Sequence, residues 1–366
     1  KLKSDPRLVN VFVIEEPESH MHLQMQRTLV NYLNSEYAEK EGLCNVQGII
    51  STHSDEIVRS ANLKDIKVIR PKEPLNNVIC DMYMFLEKHK TEKDFYETFF
   101  KINFSNMIFA DKAIIYEGDT ERMYIESLIF GNRGQTEKDE LEFLNTLSQK
   151  YITYAQAGGA YAHKYAELLN ELEISTLILT DIDYPKTCFN KNKVFKLRTT
   201  NAALRFFCSR DNRQSKNARL NIKDIYKWQS SCCKKKNILV KTQSEIDGYA
   251  RTLEEAILFQ YINKHRTDFF EDNDSKVEFN VFSCLTRENW SKIKETSGFP
   301  LLLPNRTKEE KQQNRPVASV ERCIRQIVEG LSDRKSAFMY SIIKKGKQYS
   351  VMPDYIKEGL KWLAQK

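Results

Sequence analysis

Three short apolar runs in this chain end in carboxylates, and that pattern narrows the folds open to it. Residues 9–16 read VNVFVIEE, residues 112–118 read KAIIYEG and residues 176–183 read TLILTDID. An apolar run without polar alternation suits a strand covered on both faces, the habit of parallel α/β sheets. Such sheets bind ligands outside the carboxyl ends of their strands. Glu15, Glu16, Glu117, Asp181 and Asp183 are therefore expected at ligand-binding edges.

The middle of the chain predicts three βα units. After Glu117-Gly118, the segment DTERMYIESLIF reads as a helix with Glu121 in its first turn. Glu117 and Glu121 can then face one strand-end space, with Gly118 allowing a tight turn and close approach of a ligand. Residues 151–159, YITYAQAGG, predict a second strand and residues 160–172 a helix. Asp181 and Asp183 are two apart at the end of the third strand, a spacing that puts both on one face. Pro185 closes that strand. The expected product is a small doubly wound parallel sheet. Hard carboxylate oxygens without His or Cys suit Mg²⁺ or Mn²⁺, and so much like charge in one cleft calls for a cation.

The first hundred residues carry a related pattern. At the end of the 9–16 strand, one acid can hold Mg²⁺ and the next can orient the water that attacks a γ-phosphate. Pro17 ends the strand, and Met21–Leu33 predicts a helix. A second strand is read at Val46–Ser51, with His53 just beyond it, and a short third at Ile66–Arg70.

At 366 residues the chain has room for two or three domains. Its 41% hydrophobic and 29% charged content is that of a globular protein. No stretch approaches the ~18 apolar residues that span a bilayer, so no membrane association is expected. None of the eight cysteines forms a CxxC pair, and Cys232 and Cys233 are adjacent. That argues against zinc and against a disulfide framework, and for reduced thiols in the cytoplasm. The net charge of +7 is unevenly placed: residues 191–241 hold fifteen Lys/Arg against Asp211 and Asp224, a local +13. Phe195, Phe206, Phe207, Tyr226 and Trp228 are interleaved there. Such a block attracts phosphate backbones, and aromatic faces can stack on unpaired bases. Arg205, Arg210, Arg213, Lys216, Arg219, Lys234, Lys235 and Lys236 are the candidate DNA contacts. FEDNDSK at 270–276 reads as a loop and NRTKEEKQQNRP at 305–316 as a polar linker or solvated helix.

Two resemblances sharpen this reading. FVIEEPESHMHLQMQ at 12–26, followed by STHSDEIV at 51–58, resembles the Walker B, D-loop and switch-histidine region of ABC/SMC-like ATPases. It implies Glu15 as the metal acid, Glu16 as the hydrolytic base and His53 as the switch histidine. No GxxxxGK[ST] phosphate loop is present, and no LSGG-like signature precedes Glu15. The chain thus reads as the back half of an ATPase-type domain, with ATP bound and hydrolysed only in a more complete protein. EGDTE at 117–121 with DID at 181–183 resembles the TOPRIM fold of topoisomerases, DnaG-type primases and OLD nucleases. TTNAAL at 199–204, ARTLEEAI at 250–257 and RKSAFMYSI at 334–342 favour the OLD family, as does the order ATPase-then-TOPRIM. In that family a helix carries a metal-binding Glu, matched by Glu254 with Glu255 as the alternative. Lys335 matches a lysine that stabilises charge on the scissile phosphate.

The resemblance implies an α/β chain: residues 1–108 the ATPase part, 109–345 the TOPRIM domain with a helical basic insertion at 190–245, and 346–366 a C-terminal helix or tail. Two-metal hydrolysis of DNA is implied, leaving 5′-phosphate and 3′-hydroxyl ends. Glu117, Asp181 and Asp183 would hold one Mg²⁺ or Mn²⁺, and Glu121 and Glu254 the second, with Asp183 available for sharing. It further implies regulation by ATP, a homo-oligomer formed through the ATPase domain, and a part in bacterial anti-phage defence. The partner there would be a helicase, as in Gabija systems, or a reverse transcriptase with its nucleic-acid product, as in some retrons. A topoisomerase or primase is the less fitting use of the fold, since no strand-gate domain or zinc module is evident. The rival of another class is an ATP-gated, SMC-like DNA scaffold that does not cut.

Overall fold

The apolar runs ending in acids do form parallel ladders, but their cover differs from one part of the chain to the other. The computed structural model describes residues 10–38, 46–73, 76–101, 105–131, 141–157, 162–185, 191–211, 220–231, 237–265, 284–285, 291, 318–331 and 334–366. It divides into two units, Lys1–Asp111 with Leu168–Ile174, and Lys112–Glu167 with Ser175–Lys366.

In the first unit, β1 (Asn10–Glu15) and α1 (Leu23–Ala38) lead to β2 (Val46–Ser51), which lies parallel to β1 with Glu15 opposite Ser51. Ser54 then starts α2 (Asp55–Ser60) by accepting the Ile57 N–H, a side-chain N-cap. Arg27 of α1 grips Glu56 of α2 with two bonds, of 2.7 and 2.9 Å. β3 (Lys67–Glu73) and β4 (Asn76–Asp81) form an antiparallel hairpin as a sheet of their own. The Asp81 carboxylate caps α3 (Met82–Lys88), and α4 (Lys93–Phe99) follows. Leu63, Met82, Phe85, Tyr96 and Phe100 fill the core. The expectation of a β1 strand covered on both faces is not met. Val11 and Val13, on one face of β1, are 55% and 59% exposed, while Phe12 and Ile14 on the other face are half-buried.

The second unit holds the expected parallel sheet. β5 (Lys112–Tyr116) is followed by α5 (Asp119–Phe130) and α6 (Glu142–Ser148). β6 (Ile152–Gln156), α7 (Ala162–Glu171) and β7 (Ser175–Leu179) come next. The helices α8 (Lys191–Lys196), α9 (Ala202–Asp211) and α10 (Ile222–Ser231) then lead to β8 (Ile238–Lys241). The strands lie in the order β6-β5-β7-β8, and all three ladders are parallel. The chain leaves β5 toward one side and returns past it to the other. Right-handed crossovers in opposite directions put their helices on opposite faces, which gives the doubly wound arrangement. Ala113, Ile114, Ile115, Leu177 and Ile178 are fully buried between those layers.

Three features depart from the sequence reading. The third strand stops at Leu179, before the two aspartates, and Asp183 has a left-handed backbone with φ 41°. Strand alternation therefore does not set the directions of Asp181 and Asp183. The basic block is helical as expected in α8, α9 and α10, but it leads into a fourth strand, β8, that the sequence reading did not single out. Finally, Phe207, Tyr226 and Trp228 are buried, and Phe195 and Phe206 are half-buried, so these aromatics pack the helices instead of offering faces to bases.

The remaining described elements are α11 (Leu253–Lys264), a short pairing of Cys284–Leu285 with Ala318–Ser319, α12 (Val320–Gly330), α13 (Lys335–Lys344) and α14 (Asp354–Gln365). The 270–276 and 305–316 segments lie outside the described residues. α14 packs against β7 and β8, and the buried Lys112 ammonium donates to its Leu363 carbonyl at 2.7 Å. Gly359 makes the close approach to the sheet feasible: a Cβ there would stand 2.9 Å from Leu177 Cδ1. Gly359→Val should lower stability by about 1–3 kcal/mol through overpacking, read as a reduced urea midpoint with an unchanged m-value.

Candidate active site

Glu117 directly follows β5, and Thr180 to Asp183 directly follow β7. These strands are neighbours at the point where the winding reverses, so both segments border the crevice in which open α/β sheets bind ligands. The Glu117 carboxylate is firmly held there. Its Oε1 accepts from the Thr180 hydroxyl, from the Asp181 N–H at 3.1 Å and from the Asn201 side-chain amide at 3.1 Å. Asp181 Oδ1 accepts from Gln243 Nε2 at 2.6 Å, and Gln243 Oε1 accepts the Ile182 N–H at 3.0 Å. Gln243 also reaches Tyr355 of α14, at 3.3 Å.

Glu121 lies in the first turn of α5, where its Oε2 accepts the Gly118 N–H at 2.9 Å. Gly118 has extended backbone that any residue adopts; a Cβ there would instead meet Glu121 Oε2 at 3.0 Å. That crowding, rather than a special turn conformation, is what glycine relieves. α11 supplies Glu254, which is 1% exposed. Its Oε2 accepts from Lys335 Nζ at 3.1 Å, and its Oε1 is buried with no partner. Glu255, the alternative in sequence, is taken up by Arg251 through its backbone N–H (2.8 Å) and its guanidinium (2.5 and 3.1 Å).

The electrostatics show how closely these acids interact. Burial, then the charges of Glu121, Glu117 and Glu254, push Asp181 well above the usual carboxylate range. Burial, with Glu254 and Glu117 nearby, raises Glu121 to about 7. Glu117 is raised by burial and by Asp183, against its hydrogen bonds. Burial also raises Asp183, opposed by Arg251 and Lys335. Burial alone would pull Lys335 down, but Glu254, Asp181 and Glu121 more than offset it and leave the ammonium raised. Glu117, Glu121, Asp181, Asp183, Glu254 and Lys335 thus come together from four stretches of chain.

Among the described residues no three of these side chains converge as a ready cation cage. Like charges repel, and each carboxylate has turned toward a protein donor where one is in reach. The donor set nevertheless fits a divalent cation: it is all hard oxygen, and one buried carboxylate oxygen is orphaned. Sequence reasoning did not single out Thr180, Asn201, Gln243 or Tyr355 as site residues. TTNAAL signalled Asn201 only as part of a matching string, and Gln243 lies just past the basic block that ends at residue 241.

In the first unit, the Glu15 end of β1 and the Ser51 end of β2 lie side by side. The Glu16 N–H donates to the Ser51 carbonyl at 2.9 Å, and Glu16 Oε1 lies 3.4 Å from His53 Nε2. Glu18, unassigned from sequence, clamps the histidine loop by accepting from the His53 N–H (2.5 Å) and the Thr52 hydroxyl (2.8 Å). Of the basic candidates, Arg205 is exposed on α9. The Arg210 side chain and Arg213, Lys216, Arg219, Lys234, Lys235 and Lys236 lie outside the described residues. Lys193, Lys196, Lys223 and Lys227 are further exposed cations on α8 and α10.

Residues 108–183 match the family described as overcoming lysogenization defect protein-like, TOPRIM domain. Residues 2–58 match the AAA ATPase domain family. Over the first of these segments the chain resembles the OLD family. It is 26% identical over 383 aligned positions to endonuclease GajA of Bacillus cereus strain HuB5-5, covering 98% of this chain and 49% of that protein. Against endonuclease GajA of Bacillus cereus strain VD045 it is 27% identical over 206 positions, 56% of this chain and 31% of that one. The chain therefore spans half or less of the length of these curated relatives. The solved C-terminal region of the Xanthomonas campestris pv. campestris OLD protein aligns with 71% of this chain and 94% of its own, at 16% identity and a TM-score of 0.34. No helix among the described residues is long and apolar enough to cross a membrane.

Behind Asp183 lies a buried ionic network. Arg325 Nη2 donates to the Tyr184 hydroxyl at 3.1 Å and lies 2.7 Å from Glu321 Oε1. That ion pair is close but misaligned, since neither Glu321 oxygen receives a hydrogen bond. Burial outweighs the Arg325 charge and lifts Glu321 to about 7. A carboxyl raised on folding adds stability below its unfolded pKa of ~4.3, and that stability is lost as pH rises through the folded value. Glu321→Gln keeps a neutral side chain at every pH. Its melting temperature relative to the parent should therefore climb between pH 5 and 8, and a pH-independent difference would refute the assignment.

Proposed function

We propose that this chain carries the cutting site of a metal-dependent DNA endonuclease, regulated by an ATPase-type domain and serving in bacterial anti-phage defence. The observation that carries the reading is the gathering of five acids and Lys335 at one sheet switch point, with Glu254 Oε1 buried and unpartnered. The description of both GajA relatives as endonucleases supports it.

Glu117, Asp181 and Asp183 would hold one Mg²⁺ or Mn²⁺, and Glu121 and Glu254 a second. Bound there, the ions supply activation of a water and neutralisation of charge at the scissile phosphate. Lys335 adds fixed positive charge beside the same carboxylates, and its contact with Glu254 keeps it protonated and aimed. The exposed cations of α8, α9 and α10, with those of the 210–236 stretch, hold the DNA backbone. The products are 5′-phosphate and 3′-hydroxyl ends. In the complete protein, Glu15 serves as the ATPase metal acid, Glu16 as its base and His53 as the γ-phosphate contact, and the ATPase parts join copies of the chain. The protein acts in the cytoplasm, with a helicase or a reverse transcriptase and its nucleic-acid product as partner.

Supercoiled plasmid cleavage in Mg²⁺, Mn²⁺ or EDTA tests the reading, with this chain and with the complete protein. Asp183→Ala and Glu117→Ala should each cut more than about 100-fold less, beyond the loss seen for changes outside the ligand set, with unchanged melting temperatures. Full activity in Asp183→Ala, or cutting in EDTA, would sink the assignment. DNA binding without cutting by the complete protein would favour the scaffold. This chain alone should release no phosphate from ATP, since it lacks the loop that cradles the nucleotide.

A further inference from the structure

Asn201 is 4% exposed and sits between α8 and α9, directly before the first turn of α9. Its Nδ2 lies within hydrogen-bond distance of three acceptors: Thr180 Oγ1 at 2.7 Å, the Asp181 carbonyl at 2.9 Å and Glu117 Oε1 at 3.1 Å. Its Oδ1 accepts the Leu204 N–H at 3.1 Å, which caps α9. Its own N–H donates to Thr199 Oγ1 at 3.0 Å, and that hydroxyl donates to the Ile182 carbonyl at 2.5 Å.

This network fixes which way the amide points. A flipped amide would set NH₂ against the Leu204 N–H and a carbonyl against the Glu117 carboxylate, two repulsions in a dry site. With the amide so fixed, Glu117 Oε1 receives three donors: the Thr180 hydroxyl, the Asp181 N–H and Asn201. One oxygen of the carboxylate is saturated by protein, and Oε2 is left for a ligand.

We infer that Asn201 is a positioning residue that locks the Glu117 carboxylate with Oε2 free to bind the cation, and ties that lock to the first turn of α9. The inference rests on the reading of Glu117 as a cation ligand. The same side chain that caps the helix bearing Arg205 also orients the carboxylate. Placement of the backbone-holding helix and readiness of the acid site are thus joined through one residue.

The test separates positioning from capping. Asn201→Ser keeps a good N-cap but is too short to reach Glu117. Mn²⁺ binding is measured directly, from the electron paramagnetic resonance signal of the free ion, with no DNA present. Asp181→Asn serves as the reference for loss of the site. Asn201→Ser should raise the Mn²⁺ dissociation constant by about 10–100-fold, the usual cost of losing a partner outside the ligand set, at a near-parental melting temperature. In a Glu117→Gln background the same substitution should change it less than about twofold, as expected once its partner is gone. Thr180→Val removes another donor to Oε1 without touching α9, and should weaken Mn²⁺ binding in the same direction. Parental affinity in both Asn201→Ser and Thr180→Val, with binding lost in Asp181→Asn, would overturn the inference and leave the metal reading standing. An equal loss from Asn201→Ser with or without Glu117→Gln would make Asn201 merely structural. Absence of Mn²⁺ binding by the parent chain would overturn the metal reading itself, and this inference with it.

Discussion

Mutual repulsion among buried carboxylates is the constraint around which the second unit is arranged. A low-dielectric crevice magnifies every like-charge contact. The acids meet there because the sheet's winding reverses between β5 and β7, and because α5 and α11 each start with a glutamate aimed at the same place. The fold offsets the repulsion with what it has: a lysine on Glu254, two side-chain amides on Glu117 and Asp181, and a helix-start N–H on Glu121. Each of these contacts also points its acid. The partners that make the cluster tolerable therefore give it a shape.

The choice between Glu254 and Glu255 shows how fine that arrangement is. The two are adjacent on α11 and both are buried. Thr252 caps the helix by accepting the Glu255 N–H, which fixes the rotation of the first turn. Arg251, just before the cap, then folds back onto Glu255 and neutralises it in place. A buried charge matched by a guanidinium is a structural pair. Glu254, one position round the same turn, meets Lys335 instead, and keeps one oxygen unspent. Arg251 thereby commits one glutamate to an ion pair, while its neighbour keeps a carboxylate oxygen without a hydrogen bond.

Much of this was legible in the sequence. The strands at 112–116 and 175–179, the helix at 119–130 and the acids at their ends follow from apolar runs that stop at carboxylates. What was not legible has physical reasons. β8 is a four-residue strand, ILVK, preceded by three lysines, and charge density hid it within a basic block. The aromatics of that block read equally well as base-stacking faces or as core, and only packing shows that Phe207 and Trp228 are core. The apolar run of β1 signals a need for cover on both faces, yet a sequence cannot say which element provides it. Asn201 and Gln243 were invisible as site residues because an uncharged amide acquires its role from what it faces.

The two units share a backbone device. Among the described residues four non-glycines have positive φ, and two of them are Glu16, directly after β1, and Asp183, four residues after β7. Left-handed backbone at a non-glycine residue costs roughly 1 kcal/mol or more, so the surroundings must impose it. For Glu16 the N–H bonded to Ser51 on the neighbouring strand does so. For Asp183 it is the carbonyl, which accepts the Thr200 N–H at 2.9 Å. In neither case does the strand run on through these acids: β1 ends at Glu15, before Glu16, and β7 at Leu179, before both aspartates. A strand that continued would carry its next acid to alternate faces. Ending the strand before these acids, with a left-handed residue among them, lets successive acids be aimed one by one, which is what a site assembled from carboxylates requires.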